Sequence, residues 1–258
     1  MTTWLTELKR AGILVFALLA ASGCANLPGP GTRLDAEGLH NAIVADRVDY
    51  VRAAVEARWV DVNSSIPAPV YIEGTPLVTI AARAGSVDVV RYLIAAGADL
   101  NAMTPAYETA LMLATYFPTD GEVSSRHEQV AHMLVEAGAS VNSHPYSYTA
   151  LAYAAYQGRD QLIQYLLKNG AQVNTGFTPA QAHVNTPLMM AAIQGHVSSA
   201  LLLLRAGADA RARVINGHTA AELAAKHNGR DLLPLLQCAE AAGPGQAFIQ
   251  RCERSAAR

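Results

Sequence analysis

Three cysteines, eight histidines and 21 acidic residues are the side chains of this 258-residue sequence that could carry catalysis or hold a metal. Their spacing speaks against both uses. No HExxH, no GxSxG and no glycine-rich phosphate loop occurs. His127 and His132 stand five apart, a separation at which two side chains do not share a helix face cleanly. His127, His196 and His218 fall at turns or helix starts, where imidazoles serve hydrogen bonding rather than ligation. Asp99 and Asp209 follow Gly-Ala pairs, where a short carboxylate bonds to nearby backbone. Neither a metal site, a cofactor nor an enzyme is expected. The formal net charge of −2 gives no basic footprint for nucleic acid.

The cysteines divide once the N-terminus is considered. Lys9 and Arg10 precede an uncharged run from Ala11 to Ala21. As a helix that run would reach only ~16 Å, short of a hydrocarbon core of ~30 Å, so it suits the apolar region of a signal peptide. Ala21, Ser22 and Gly23 then lead into Cys24. This segment resembles the bacterial lipobox, with Ala21 where leucine is commonest. The resemblance implies that residues 1–23 are removed and that Cys24 carries the lipid as the mature N-terminus. Multiple acyl chains anchor stably where one is marginal. Ala25 follows, with no aspartate to suggest inner-membrane retention, so the periplasmic face of the outer membrane is expected. Residues 24–35 read as a tether, because the run Pro28, Gly29, Pro30, Gly31 blocks regular structure.

Positioning elements follow from a repeat. Four phrases nearly coincide: Ala96 to Asn101, Ala137 to Asn142, Asn169 to Asn174 and Ala206 to Arg211, with a degenerate copy at Val60 to Asn63. Matching starts occur at Thr75, Thr109, Thr149, Thr186 and Thr219, spaced 34, 40, 37 and 33 residues apart. Each threonine can cap a helix, and a proline just inside tolerates its missing N–H. Gly158 and Gly195 should end first helices in the left-handed region, with Asn228 in that place in the last unit. Second helices such as Val89 to Ile94 and Leu162 to Leu167 are apolar nearly all round and need burial between neighbours. The pattern is similar to the ankyrin repeat. It implies an all-α solenoid of about six units over residues 36–237, with helix-turn-helix units and β-hairpin fingers, followed by a capping tail at 238–258. His40 stands where the family often has histidine, and it is expected to cap its own unit. Pro234 should loosen the last second helix, and residues 119–126 should form a surface loop between the helices of the third unit.

Ankyrin resemblance implies a single protein partner for a monomeric chain, docked where finger tips and first helices form a concave groove. Carried onto this sequence, the groove comprises Arg83, Tyr116, Phe117, Tyr146, Tyr148, Tyr156 and Gln157, with Tyr107 among the finger residues. Its middle is aromatic, which suits interface hot spots. Tyr153 and Tyr165 are assigned to the core. The partner is expected to be an envelope or secreted protein that the chain neutralises or assists; the alternative is a scaffold in envelope assembly with no dedicated partner.

With Cys24 taken by lipid, Cys238 and Cys252 remain as an even pair in an exported chain and are expected to form a disulfide. Gly243, Pro244 and Gly245 can reverse the chain between them, so that Phe248 and Ile249 cover the open end of the stack.

Overall fold

The computed structural model describes residues 36–69, 74–116, 121–142, 148–175, 184–213, 217–245, 248 and 251–252, with backbone alone for 121–124. These residues form six helix pairs. First helices are α1 (Ala36–Val44), α3 (Leu77–Ala84), α5 (Ala110–Tyr116), α7 (Ala150–Tyr156), α9 (Pro187–Gln194) and α11 (Ala220–Lys226). Second helices are α2 (Val48–Glu56), α4 (Val87–Ala95), α6 (Gly121–Glu136), α8 (Asp160–Lys168), α10 (Val197–Arg205) and α12 (Leu233–Ala242). Each first helix packs on the next, from α1 through to α11, and on the second helix of its own unit. Helices of seven to nine residues are too short to persist alone, so the stack is the folding unit. Alanine makes the close approach possible: Ala81, Ala82, Ala114, Ala154, Ala155, Ala191 and Ala192 are all fully buried. The second helices are amphipathic rather than wholly apolar. Helix α4 buries Val89, Val90 and Leu93 and leaves Arg91 in solvent.

Thr149, Thr186 and Thr219 accept the N–H three residues on, and Thr109 accepts from Met112 at 3.4 Å. Thr75 is the exception. It lies in strand β2 (Thr75–Pro76), its hydroxyl buried without a hydrogen-bond partner, and α3 starts later, at Leu77. Strand β2 pairs antiparallel with β1 (Ser65–Ile66), the only strand pair among the described residues. The following finger closes without strands: Thr104 donates its N–H to the Glu108 carbonyl at 2.9 Å, and Tyr107 donates to the Thr104 carbonyl at 2.9 Å. The expectation of a β-hairpin in every finger is corrected accordingly.

Further corrections concern the ends and the insertion. Asn228 is not left-handed; in the first unit Asp46, with φ 56°, takes the place that Gly158 takes in the fourth. His40 lies inside α1 rather than at a cap, and it lines a cavity described below. The expected loop at 119–126 is helical from Gly121, because no glycine or proline interrupts residues 122–136. Its start is tied back across two units: Arg126 reaches Asp46 at 2.8 Å, and the His127 ring meets the Arg83 carbonyl at 2.8 Å. Pro234 does not loosen its helix. It occupies the first turn of α12, where no backbone N–H is required, after a 3-10 turn at Arg230–Leu232. That helix runs to Ala242, so the boundary expected at 237 falls inside it, and Cys238 lies on the helix rather than after it.

The recurring terminal asparagines have a role that the phrase alone did not reveal. Asn63, Asn101, Asn142 and Asn174 each accept, through Oδ1, a backbone N–H of the next unit: Asp99 at 2.7 Å, Ser140 at 2.8 Å, Gln172 at 2.8 Å and Asp209 at 2.9 Å. Asn142 and Asn174 also donate to the carbonyls of Gly170 and Gly207. Where the ladder ends, Arg211 replaces asparagine and donates to the Glu240 carbonyl of α12 at 2.9 Å. Asn142→Ala removes both of its bonds. Since the site is exposed, the expected loss is about 1 kcal/mol, a fall of roughly 2–4 °C in Tm. An unchanged thermal midpoint by circular dichroism would show that the ladder carries no stability.

Candidate functional site

Tyrosines gather on the first-helix face of the third and fourth units. Tyr116 ends α5, and its ring lies 5.0 Å from Tyr153 and stacks on Tyr156 at 6.3 Å, centroid to centroid. Tyr153 and Tyr156 stand three apart on α7, one turn of the same helix face. Tyr148, at the finger base before α7, lies 5.7 Å from Tyr153. All four rings are half-buried. Gln157 holds the cluster across the unit boundary, donating from Nε2 to the Tyr116 carbonyl at 2.7 Å.

Tyr153 belongs to this cluster and is not a core residue, which corrects its assignment from sequence. Its hydroxyl faces the Glu108 carboxylate at 3.5 Å. Burial, and after it the Glu108 charge, push the phenol above its ordinary pKa, so it stays a protonated donor. Tyr165 is likewise half-buried, lying flat against His132 with centroids 3.9 Å apart. The apolar repeat position suggested full burial, but aromatic bodies with a polar tip commonly sit at the boundary.

Arg83 stands apart from the tyrosines. It lines a cavity of about 270 Å³ between α1, α3 and α5 with His40, Val44, Thr75, Ile80 and Leu113. Of the other expected groove residues, Phe117 and Tyr146 lie outside the described residues, as do Cys24 and Ile249.

A second row of contacts seals the turns between helices. In the second, third and fourth units the carbonyl just ahead of the first-helix turn is taken by a side chain of the next unit: Arg83 by His127, Tyr116 by Gln157, and Tyr156 by the His196 ring at 3.0 Å. These pairings satisfy carbonyls that a helix end leaves open, and they give His127 and His196 the structural role expected of them. Asp99 and Asp209 accept the N–H two residues on, from Asn101 at 2.9 Å and Arg211 at 3.0 Å. No group of three or more His, Cys, Asp or Glu side chains able to hold a metal occurs among the described residues. No helix among them is long and apolar enough to cross a membrane.

Family models for ankyrin repeats match residues 39–145 and 104–176, in a three-copy form, and 151–204 in a many-copy form. The chain belongs to the ankyrin-repeat family. Such stacks are protein–protein interaction modules, typically without catalytic activity of their own. Among its relatives, the palmitoyltransferase Hip14 of Drosophila melanogaster is 40% identical over 85 residues, 33% of this chain. The ankyrin repeat and KH domain-containing protein mask-1 of Caenorhabditis elegans is 30% identical over 183 residues, 63% of the chain. A probable E3 ubiquitin-protein ligase, XBOS34 of Oryza sativa subsp. japonica, is 37% identical over 117 residues, 44% of the chain. The chain spans only 13%, 7% and 21% of these relatives' own lengths.

Proposed function

We propose that this chain is a lipid-anchored binding module on the periplasmic face of the outer membrane, holding an envelope or secreted protein against its first-helix face to neutralise or assist it. The observation that carries the reading is the cluster of Tyr116, Tyr148, Tyr153 and Tyr156, half-buried across two adjacent units. Rigid amphipathic rings offer contact area at low entropic cost. The lipid anchor rests on Lys9, Arg10, the apolar run and Cys24.

Replacing Tyr116, Phe117 and Tyr156 together with Ala is expected to abolish capture of the partner while helicity survives. Hot-spot truncations often cost ~2 kcal/mol or more each. Affinity purification from membranes, wild type beside variant, reads the result. A triple variant that retains its partner would remove the groove from the account. Location has its own measurement. Mature protein should begin at Cys24 and fractionate with membranes, and Cys24→Ala should leave it unlipidated; a soluble wild type with a free Cys24 thiol would refute the anchor.

A further inference from the structure

We infer that Arg58 and Trp59 touch the lipid surface in which Cys24 is anchored; this rests on the lipid anchor proposed above. The repeat marks these two residues as a replacement. In the second unit the N–H groups of Gly97 and Ala98 meet the carbonyls of Ile94 and Leu93 at 3.1 and 2.9 Å, closing the second helix. In the first unit those of Arg58 and Trp59 meet Val55 and Ala54 at 3.0 and 2.9 Å, the same pattern. The turns at Gly138, Gly170 and Gly207 keep glycine followed by alanine. Arg58 instead holds φ 57°, a conformation that side chains disfavour, and Trp59 is left 42% exposed. Strain kept in this way points to a use other than folding.

Place in the stack selects the occupant. Helices α1 and α2 have nine residues each, pack together and are joined by a short turn, so the chain doubles back. The start of α1 and the end of α2 therefore share one edge, and Trp59 lies just beyond that end. Ala36, at the same edge, is where residues 24–35 join the stack. A linker of that length reaches at most ~40 Å, so lipid on Cys24 ties the first unit closest to the bilayer. Tryptophan suits such an interface, where its body meets acyl carbons and its N–H meets headgroups. Half-buried Val55, Val60 and Val62 line a cleft with Arg58 and extend the apolar surface. Glu56 and Asp61 flank the pair and oppose attraction by charge alone. The ring therefore carries the contact, and the Arg58 fork meets lipid phosphate.

Mature protein beginning at Cys24 has Trp59 as its single tryptophan, because Trp4 lies in the segment removed. Its fluorescence therefore reads the contact directly. Lipidated protein purified from membranes is placed in vesicles of phosphatidylethanolamine and phosphatidylglycerol that carry bromine high on the acyl chains. Emission should shift to shorter wavelength and lose roughly half its intensity to the bromine. Arg58→Gly suits the left-handed turn and removes the cation; it should not lower the melting temperature, and it should reduce the contacting population about fivefold. A chain with Trp59→Phe and Val197→Trp moves the probe to an exposed position of the fifth unit and should stay unquenched. An unquenched Trp59, equal quenching of the Val197→Trp chain, or indifference to Arg58→Gly would overturn the contact and leave the anchor standing. Failure to recover any lipidated protein would overturn the anchor, and this contact with it.

Discussion

Gly158→Val is expected to lower the unfolding midpoint by roughly 5–15 °C, because two costs arise at one atom. Gly158 holds φ 71°, a conformation that a β-branched residue resists by ~1–2 kcal/mol. A Cβ there would also meet the His196 ring at 2.8 Å. The ring must then leave the Tyr156 carbonyl it now reaches at 3.0 Å, a further loss of about 1 kcal/mol or more. Gly170 separates the two effects, since it holds φ 86° with nothing within 4 Å of a Cβ. Gly158→Ala should therefore destabilise more than Gly170→Ala. His196→Ala should cost less in the Gly158→Ala background than in the wild type. Equal midpoints for the two alanine variants would show that the ring does not close over Gly158.

Reducing the bond between Cys238 and Cys252 is expected to have a comparable effect. Their sulfurs are 2.04 Å apart and their Cα atoms 5.8 Å, with 14 residues of sequence separation. Closing a loop of that length contributes ~3 kcal/mol on the chain-entropy argument, so reduction should lower Tm by roughly 6–12 °C. Packing adds to this, because Phe248 is fully buried and Cys252 is buried beside the apolar core. Freed, Phe248 and Cys252 are no longer held against that core by the bridge. The Cys24→Ala chain, exported to an oxidising compartment and denatured without reductant, should titrate with no thiols, and with two after reduction. Two thiols before reduction would refute the bridge.

The sequence by itself determined the architecture. Threonine starts, alanine pairs, turn glycines and the Gly-Ala phrases recur in one order, and only a stack of helix pairs uses all of them at once. It also offered Cys238 and Cys252 as a disulfide pair, on the expectation that Cys24 carries lipid, with Phe248 and Ile249 over the open end; the bridge is present and Phe248 is buried, while Ile249 lies outside the described residues. Those inferences succeeded where each residue's role is local, or where a count forces it.

Tertiary structure decided whatever depends on the next unit. Asn142 looks the same in sequence whether it faces water or takes the Gln172 N–H of its neighbour at 2.8 Å. Arg126 looked like part of a polar loop until Asp46, 80 residues earlier, came within 2.8 Å and anchored the first turns of α6. Tyr153 sits at a repeat position that favours burial, yet the neighbouring Tyr116 and the finger carrying Glu108 shape a half-open site around it. Asn228 failed to turn left-handed although its place in the repeat asked for it, since its N–H instead meets the Ile193 carbonyl of the preceding unit at 3.2 Å. The physical reason is common to all four. A repeat sequence specifies each unit through short-range backbone preferences, whereas the surfaces between units are set by side chains distant in sequence, whose meeting depends on how the stack closes.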